Sequence, residues 1–260
     1  MNSHIIIIMA IGIIGGSGFY EWFEGSTEKK ETPFGLSSPI TMVDRKEVPV
    51  YFLARHGPEH GLPPHLVNYR ANIYALREVS VTHIIATNAV GSCKQAIKPG
   101  DFMVPNQLID LTTGRQSTFF EGSRQKDVPE EFMKVKHTDV SFPYKGDVRD
   151  VIIEVLSDGD IDFHDNGTYV TTNGPRFETA AEIQMAKLFG GDIVGMTSAP
   201  EAFLARELEI DYATVCLITN YAAGMQDTIS HQEVIKLFDS RTEDLKRIIK
   251  RCLSRLDEKI

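Results

Sequence analysis

Short runs of β-branched and other apolar residues recur along the chain at 10–14, 50–54, 82–87, 101–104, 168–172, 192–196 and 212–219, and each predicts a strand. Between several of them lie segments with helical spacing, at 66–79, 148–156, 179–188, 200–208 and 231–256. This alternation predicts an α/β fold: a single domain with a mixed central β-sheet flanked by helices. Pro200 fits the first turn of its helix, where the N–H it lacks would have no partner, and Ser198 is the expected cap before it. In the last helix Val234, Leu237, Leu245, Ile248, Ile249, Cys252 and Leu256 form an apolar stripe that should pack on the sheet, with lysines and arginines turned to water. The segment 112–131, rich in Gly, Ser, Thr and charge, predicts a long loop. Loops of that length in compact domains are usually functional, and Phe119 and Phe120 in its polar middle need something to bury them.

Composition narrows the partners. The chain has 260 residues, 42% hydrophobic and 24% charged, enough apolar material for a sizeable core. Its formal net charge of -9 argues against nucleic acid or an anionic membrane as partner, because both attract a positive field. A small anionic substrate would then need a local positive site. Cys93, Cys216 and Cys252 show neither a C-x-x-C pair nor the His spacing of a zinc site, so no disulfide framework or metal is expected, and the expected compartment is the cytosol. No apolar stretch approaches the roughly 20 residues that span a bilayer, and the run at 5–8 is too short for a signal-peptide core. Met9 reads as the start of a domain covering 9–260, with residues 1–8 as a leader.

Four strand ends carry candidate chemistry. The turn Gly12-Ile13-Ile14-Gly15-Gly16-Ser17-Gly18 lets backbone amides approach an anion and adds the Ser17 hydroxyl, although taken alone it reads as a plain tight turn. It lacks both the G-x-G-x-x-G spacing of a dinucleotide site and the Gly-Lys-Ser/Thr of a P-loop. Arg55-His56-Gly57 ends the strand at 50–54 with a donor fork that matches phosphate; standing alone, Arg55 reads as a salt-bridge residue. Thr87-Asn88-Ala89-Val90-Gly91-Ser92 and Gly195-Met196-Thr197-Ser198 are the third and fourth ends. Their convergence on one crevice is harder to explain as turn chemistry than any one of them.

These stretches, with Val67-Asn68, Ala71-Asn72, Pro99-Gly100-Asp101 and Gly174-Pro175-Arg176-Phe177, resemble in order and spacing the methylthioadenosine phosphorylase branch of the trimeric purine nucleoside phosphorylases. The resemblance covers nearly the whole chain from Ala10. It implies a nucleoside phosphorylase fold, no cofactor, inorganic phosphate as co-substrate, and self-association to a trimer or hexamer. It implies phosphate among Ser17, Arg55, His56, Asn88, Ala89 and Thr197, with Ser17, Arg55 and Asn220 as the catalytic set, Phe177 against the purine and Met196 under the ribose. The implied chemistry, attack of phosphate on the anomeric carbon as the purine departs with negative charge, needs orientation and electrostatics and no covalent protein nucleophile.

The chain departs from the methylthioadenosine enzymes where they carry two aspartates, here Asn220 and Ala222 around Tyr221, and where they carry a serine, here Glu178. Asn220 with Glu178 resembles the enzymes acting on inosine and guanosine. An Asn amide can donate to a 6-oxo group, and a carboxylate can accept from the ring N–H that adenine lacks. Against adenine, an ionised Glu178 would be unpaired and repelled. His231, His60 and, from a neighbouring subunit, His137 are candidates for the 5' end of the sugar, each with an ordinary surface or capping role as the competing reading. The alternatives are a methylthioadenosine or methylthioinosine phosphorylase within the enzyme class, and a non-catalytic nucleotide-binding or redox domain outside it.

Overall fold

The computed structural model describes residues 9–16, 22–45, 47–57, 61–122, 127–228 and 230–260. The expected leader at 1–8, together with Ser17 and His60, lies outside them. The α/β architecture follows the predicted alternation. The strands are β1 (Ala10–Gly15), β2 (Gly25–Glu28), β3 (Glu31–Thr32), β4 (Gly35–Leu36), β5 (Ile40–Val43), β6 (Val50–Ala54), β7 (Val81–Ser92), β8 (Phe102–Met103), β9 (Gln107–Asp110), β10 (Phe163–His164), β11 (Thr168–Thr171), β12 (Ile193–Gly195) and β13 (Asp211–Tyr221). The helices are α1 (Tyr69–Glu78), α2 (Asp147–Ser157), α3 (Ala180–Leu188), α4 (Ser198–Glu207) and α5 (His231–Lys259). Apart from the small β3–β4 ribbon, the strands form one mixed sheet, running β10-β8-β13-β7-β1-β6-β5-β2 with β12, β11 and β9 as a branch from β7.

Alternation along the strands loads both faces. Ile11, Ile13, Phe52, Ile85 and Val215 point to one side, where α2 and the second half of α5 cover them with Val148, Ile152, Leu245, Ile248, Ile249, Cys252 and Leu256. Ala10, Ile14, Leu53, Ile84 and Tyr212 point to the other, under Ile73 and Leu76 of α1 and Ala202 and Ala205 of α4. The predicted stripe of α5 therefore divides: its later members are core, whereas Val234 lines a cavity.

Two local readings change. Ser198 is not a cap but the first residue of α4; Thr197 is the N-cap residue and makes no side-chain cap bond. Ser198 Oγ instead bonds the Tyr144 hydroxyl at 2.7 Å, so tertiary contact uses the hydroxyl that capping would have used. Pro200 is still within the first turn. The residues 87–92, read as a turn after a strand, are the continuation of β7, because β13 pairs with it as far as Ser92. The loop at 112–131 is anchored within its own chain. Phe119 is fully buried among Phe34, Phe132 and Tyr74, with ring centroids at 4.9, 5.4 and 6.3 Å, and Glu207 at the end of α4 accepts from Thr118 Oγ1 and the Phe119 N–H. Among the described residues no helix is long and apolar enough to cross a membrane.

Candidate active site

The position of the cleft follows from how β7 is paired. On one edge β13 runs alongside it from His83 to Ser92. On the other, β1 pairs only as far as Ala86, and β12 takes over, antiparallel, at Gly91 and Ser92. Among the described residues, 87–90 therefore lack a strand partner on that edge, and a crevice opens where the sheet changes neighbours, as ligand sites in open α/β sheets do. The cavity has a volume of about 200 Å³ and opens to solvent. All four predicted strand ends reach it, through Gly16, through Arg55 and His56, through Thr87, Asn88 and Ala89, and through Met196 and Thr197. Phe177, Glu178 and Asn220 complete the predicted members.

Arg55 is 2% exposed and not a surface salt-bridge residue. Its Nε and Nη2 donate to the two carboxylate oxygens of Glu201, at 2.5 and 2.9 Å, and one Nη1 hydrogen goes to the Thr87 carbonyl at 3.1 Å. Tyr212 supports the same carboxylate by donating to Oε2 at 2.8 Å. Burial disfavours the guanidinium charge, but the attraction and hydrogen bonds of Glu201 outweigh it and hold Arg55 above its usual range. Of five N–H donors three are committed, leaving one on each terminal nitrogen for an anion. Beside it, Thr197 Oγ1 donates to Asn88 Oδ1 at 2.5 Å, while Asn88 Nδ2 donates to Thr214 Oγ1 at 2.7 Å. His56 Nδ1 donates to the Leu62 carbonyl at 2.8 Å, because a carbonyl can only accept. Thr197 is also the N-cap residue of α4, whose positive helix end abuts this part of the cavity.

At the other part of the cavity, Glu178 Oε1 accepts from Thr172 Oγ1 at 2.6 Å. Asn220 Oδ1 accepts from Thr219 Oγ1 at 2.9 Å and its Nδ2 donates to the Tyr221 carbonyl at 2.9 Å. The carbonyl fixes which side of the amide carries the nitrogen, and one Nδ2 hydrogen stays uncommitted. The segment holding Phe177 and Glu178 passes so close to Met196 that a Cβ on Gly174, which has φ 58°, would collide with its sulfur. Glycine is required there by contact and by backbone.

Two expected residues, Tyr221 and Ala222, are not among those that line the cavity. Ala222 is 1% exposed and packs with Cys93, Ile183 and Val194. Tyr221 turns its hydroxyl to the Gln95 carbonyl at 3.3 Å. Both follow Asn220 on the outgoing end of β13, where alternation and chain exit carry them away. His137, expected to serve a neighbouring subunit's site, is exposed in a separate depression of its own chain with Lys136, Asp139 and Arg206. His231 is the first residue of α5, and its side chain lies outside the described residues. Conversely, sequence reading missed Glu201 and Tyr212 behind Arg55, and missed Pro64, Val234, Ile235 and Phe238 as cavity wall. The one available signal was Glu201 itself, a carboxylate set among Ala199, Ala202 and Ala205 on the buried side of a helix.

Among the described residues, one group, His83, Asp147 and Asp211, brings potential metal-ligand atoms within 4.8 Å of one another. It lies at the starts of β7 and β13, at the far end from the cleft. Asp211 there accepts from the Val148 N–H at 3.1 Å, serving the first turn of α2.

Comparison with known proteins agrees with this geometry. Residues 10–254 match the model of the Phosphorylase superfamily. The chain is 47% identical over 244 residues to the 6-oxopurine nucleoside phosphorylase of Pyrococcus furiosus, covering 92% of this chain and 90% of that protein. It is 46% identical over 244 residues to a probable S-methyl-5'-thioinosine phosphorylase of Methanothermobacter thermautotrophicus, covering 92% and 81%. Methylthioadenosine phosphorylase from Schistosoma mansoni, solved in complex with adenine, superposes with a TM-score of 0.88 at 33% identity, covering 95% of this chain and 92% of that one. A sheet whose switch point holds a buried arginine, a helix N-terminus and paired amide and carboxylate groups is thus that of a nucleoside-cleaving α/β enzyme. The chain belongs to the Phosphorylase superfamily.

Proposed function

We propose that this enzyme cleaves 6-oxopurine nucleosides such as inosine and guanosine with inorganic phosphate, releasing the base and ribose 1-phosphate for purine salvage. The observation that carries the proposal is one cavity lined both by a buried, charge-balanced arginine and by Glu178 with Asn220. Arg55, His56, Asn88, Thr197 and the Ala89 backbone receive phosphate, with Ser17 as a further donor. The Thr87 carbonyl lies on the open edge of β7, since it accepts from Arg55, and strand alternation gives the Ala89 N–H that same edge. Met196 underlies the ribose and Phe177 covers the base.

As the glycosidic bond breaks, charge develops on the purine, and the uncommitted Asn220 N–H stabilises it at the 6-oxo group. Glu178 accepts from the ring N–H. No cofactor enters this scheme, because phosphate is the nucleophile. The test is product analysis: inosine should yield hypoxanthine and ribose 1-phosphate in equal amounts only when phosphate is present. Free ribose, or binding without turnover, would contradict the proposal.

A second reading has its own observation. Val234, Ile235 and Phe238 give the cavity an apolar wall, which suits a methylthio group at the 5' position better than a hydroxyl. Methylthioinosine should therefore be assayed beside inosine. The proposal extends to assembly as a trimer or hexamer: the segment around His137 exposes Met133, Val135, Val140 and Phe142, an apolar surface for a second copy that would carry His137 toward a neighbour's sugar site. A cytosolic setting fits three cysteines that are free and buried.

A further inference from the structure

The long loop carries one side chain that reaches into the framework of the cleft. Arg115 Nη1 donates to the Met196 carbonyl at 2.5 Å, and Nη2 donates to the carbonyls of Asn173 and Thr172 at 2.7 and 3.3 Å. Its guanidinium carbon lies 5.4 Å from the centroid of the Tyr69 ring. Tyr69 in turn donates to the Pro64 carbonyl at 2.8 Å, and Pro64 lines the cavity. Thr172 is also the residue whose hydroxyl donates to Glu178.

One planar cation therefore joins three separate walls of the cleft. It holds the strand end carrying Met196, the segment leading to Phe177 and Glu178, and, through the Tyr69 ring, the segment around Pro64. These segments come from distant parts of the chain, and β12 and β11 pair as far as Gly195 and Thr171, with one more bond from the Thr172 N–H to the Gly195 carbonyl at 2.9 Å. Beyond those residues the strands end, and Arg115 takes over the spacing. The loop that supplies Arg115 is itself fixed, by Phe119 in its aromatic cluster and by Glu207. A lysine could not do this, because a single ammonium lacks the fork that reaches carbonyls on two segments.

We propose that Arg115 is a positioning residue for the nucleoside half of the site, setting the distance between the ribose floor at Met196 and the base-recognising segment at 172–178. Arg115 is not among the residues that line the cavity. Arg55 is held by Glu201 and the Thr87 carbonyl, and Thr197, although next to Met196, is tied by its own bond to Asn88, so the phosphate half keeps its geometry without Arg115. The inference rests on the phosphorylase reading above.

The experiment compares wild type, Arg115→Ala and Arg115→Lys by steady-state kinetics with inosine and phosphate varied separately, alongside thermal unfolding. Both variants should lose about tenfold or more in kcat/KM for inosine, with the KM for phosphate changed by less than about threefold. Guanidinium added far below denaturing concentration should restore part of the loss in Arg115→Ala and none in Arg115→Lys, whose side chain fills the place. If Arg115→Ala does not fold, the kinetic split in Arg115→Lys decides. Wild-type constants in a variant with lowered Tm would make Arg115 merely structural and overturn the inference, as would parallel losses toward both substrates. A wild-type enzyme without phosphate-dependent cleavage would overturn the phosphorylase reading itself, and this inference with it.

Discussion

At the scale of single residues, the anion site depends on a charge that is neutralised before any substrate arrives. Arg55 and Glu201 are each about 2% exposed, and removing one charge of a buried pair leaves the other uncompensated, at a cost of about 3–5 kcal/mol. Glu201→Gln should therefore lower stability by about that amount and raise the KM for phosphate, because an amide no longer holds both guanidinium nitrogens. Denaturant unfolding and phosphate titration check the two effects separately; unchanged phosphate use in a folded variant would remove Glu201 from the account. At the base end, Asn220→Asp with Glu178→Ser should shift preference from 6-oxopurines toward 6-aminopurines by about tenfold or more in relative kcat/KM. Asn220→Asp alone should lose inosine activity, since its charge opposes a carbonyl oxygen at the same place. Arg55 and Asn220 were legible because each stands at a strand end in a recognisable run. Glu201 was not, because nothing in a helical segment's spacing says that its carboxylate is the partner of a residue 146 positions away.

At the scale of elements, the strands that the sequence revealed are those filled with apolar residues and buried in the sheet. Gly25–Glu28 is exposed throughout and Gln107–Asp110 is half-buried throughout, so neither shows the burial pattern that would mark it as a strand; pairing with a neighbour makes them strands. The same limit hid the length of β7, whose last residues are small and polar and are kept extended by β13. Phe119 was legible as a residue needing burial, but its partners Phe34, Tyr74 and Phe132 are brought to it by three different segments. Phe119→Ala should cost about 3–5 kcal/mol, measurable as a lowered Tm, by emptying that cluster. Phe238→Ala should lower Tm and also raise the KM for nucleosides with little effect on phosphate, because Phe238 belongs to the core under α5 and at the same time lines the cavity wall. An unchanged nucleoside KM would place that wall away from the substrate.

At the scale of the molecule, an acidic protein with a formal net charge of -9 presents one buried arginine at the point where its sheet changes partners. In the proposed mechanism that arrangement recruits a small anion, while the acidic net charge disfavours nucleic acid. The exposed apolar segment with Val135 and Phe142 adds an expectation about assembly. Sedimentation should give a trimer or hexamer, and Phe142→Asp should shift it toward smaller species with loss of activity if His137 serves a neighbouring site. A fully active monomer would contradict this. The central claim, a site built for 6-oxopurines, is tested most directly by kcat/KM for inosine against adenosine and methylthioadenosine at saturating phosphate. The account predicts that inosine is favoured by about tenfold or more, because Asn220 donates and Glu178 accepts where adenine presents the opposite pattern. Equal use, or preference for either 6-amino substrate, would contradict it.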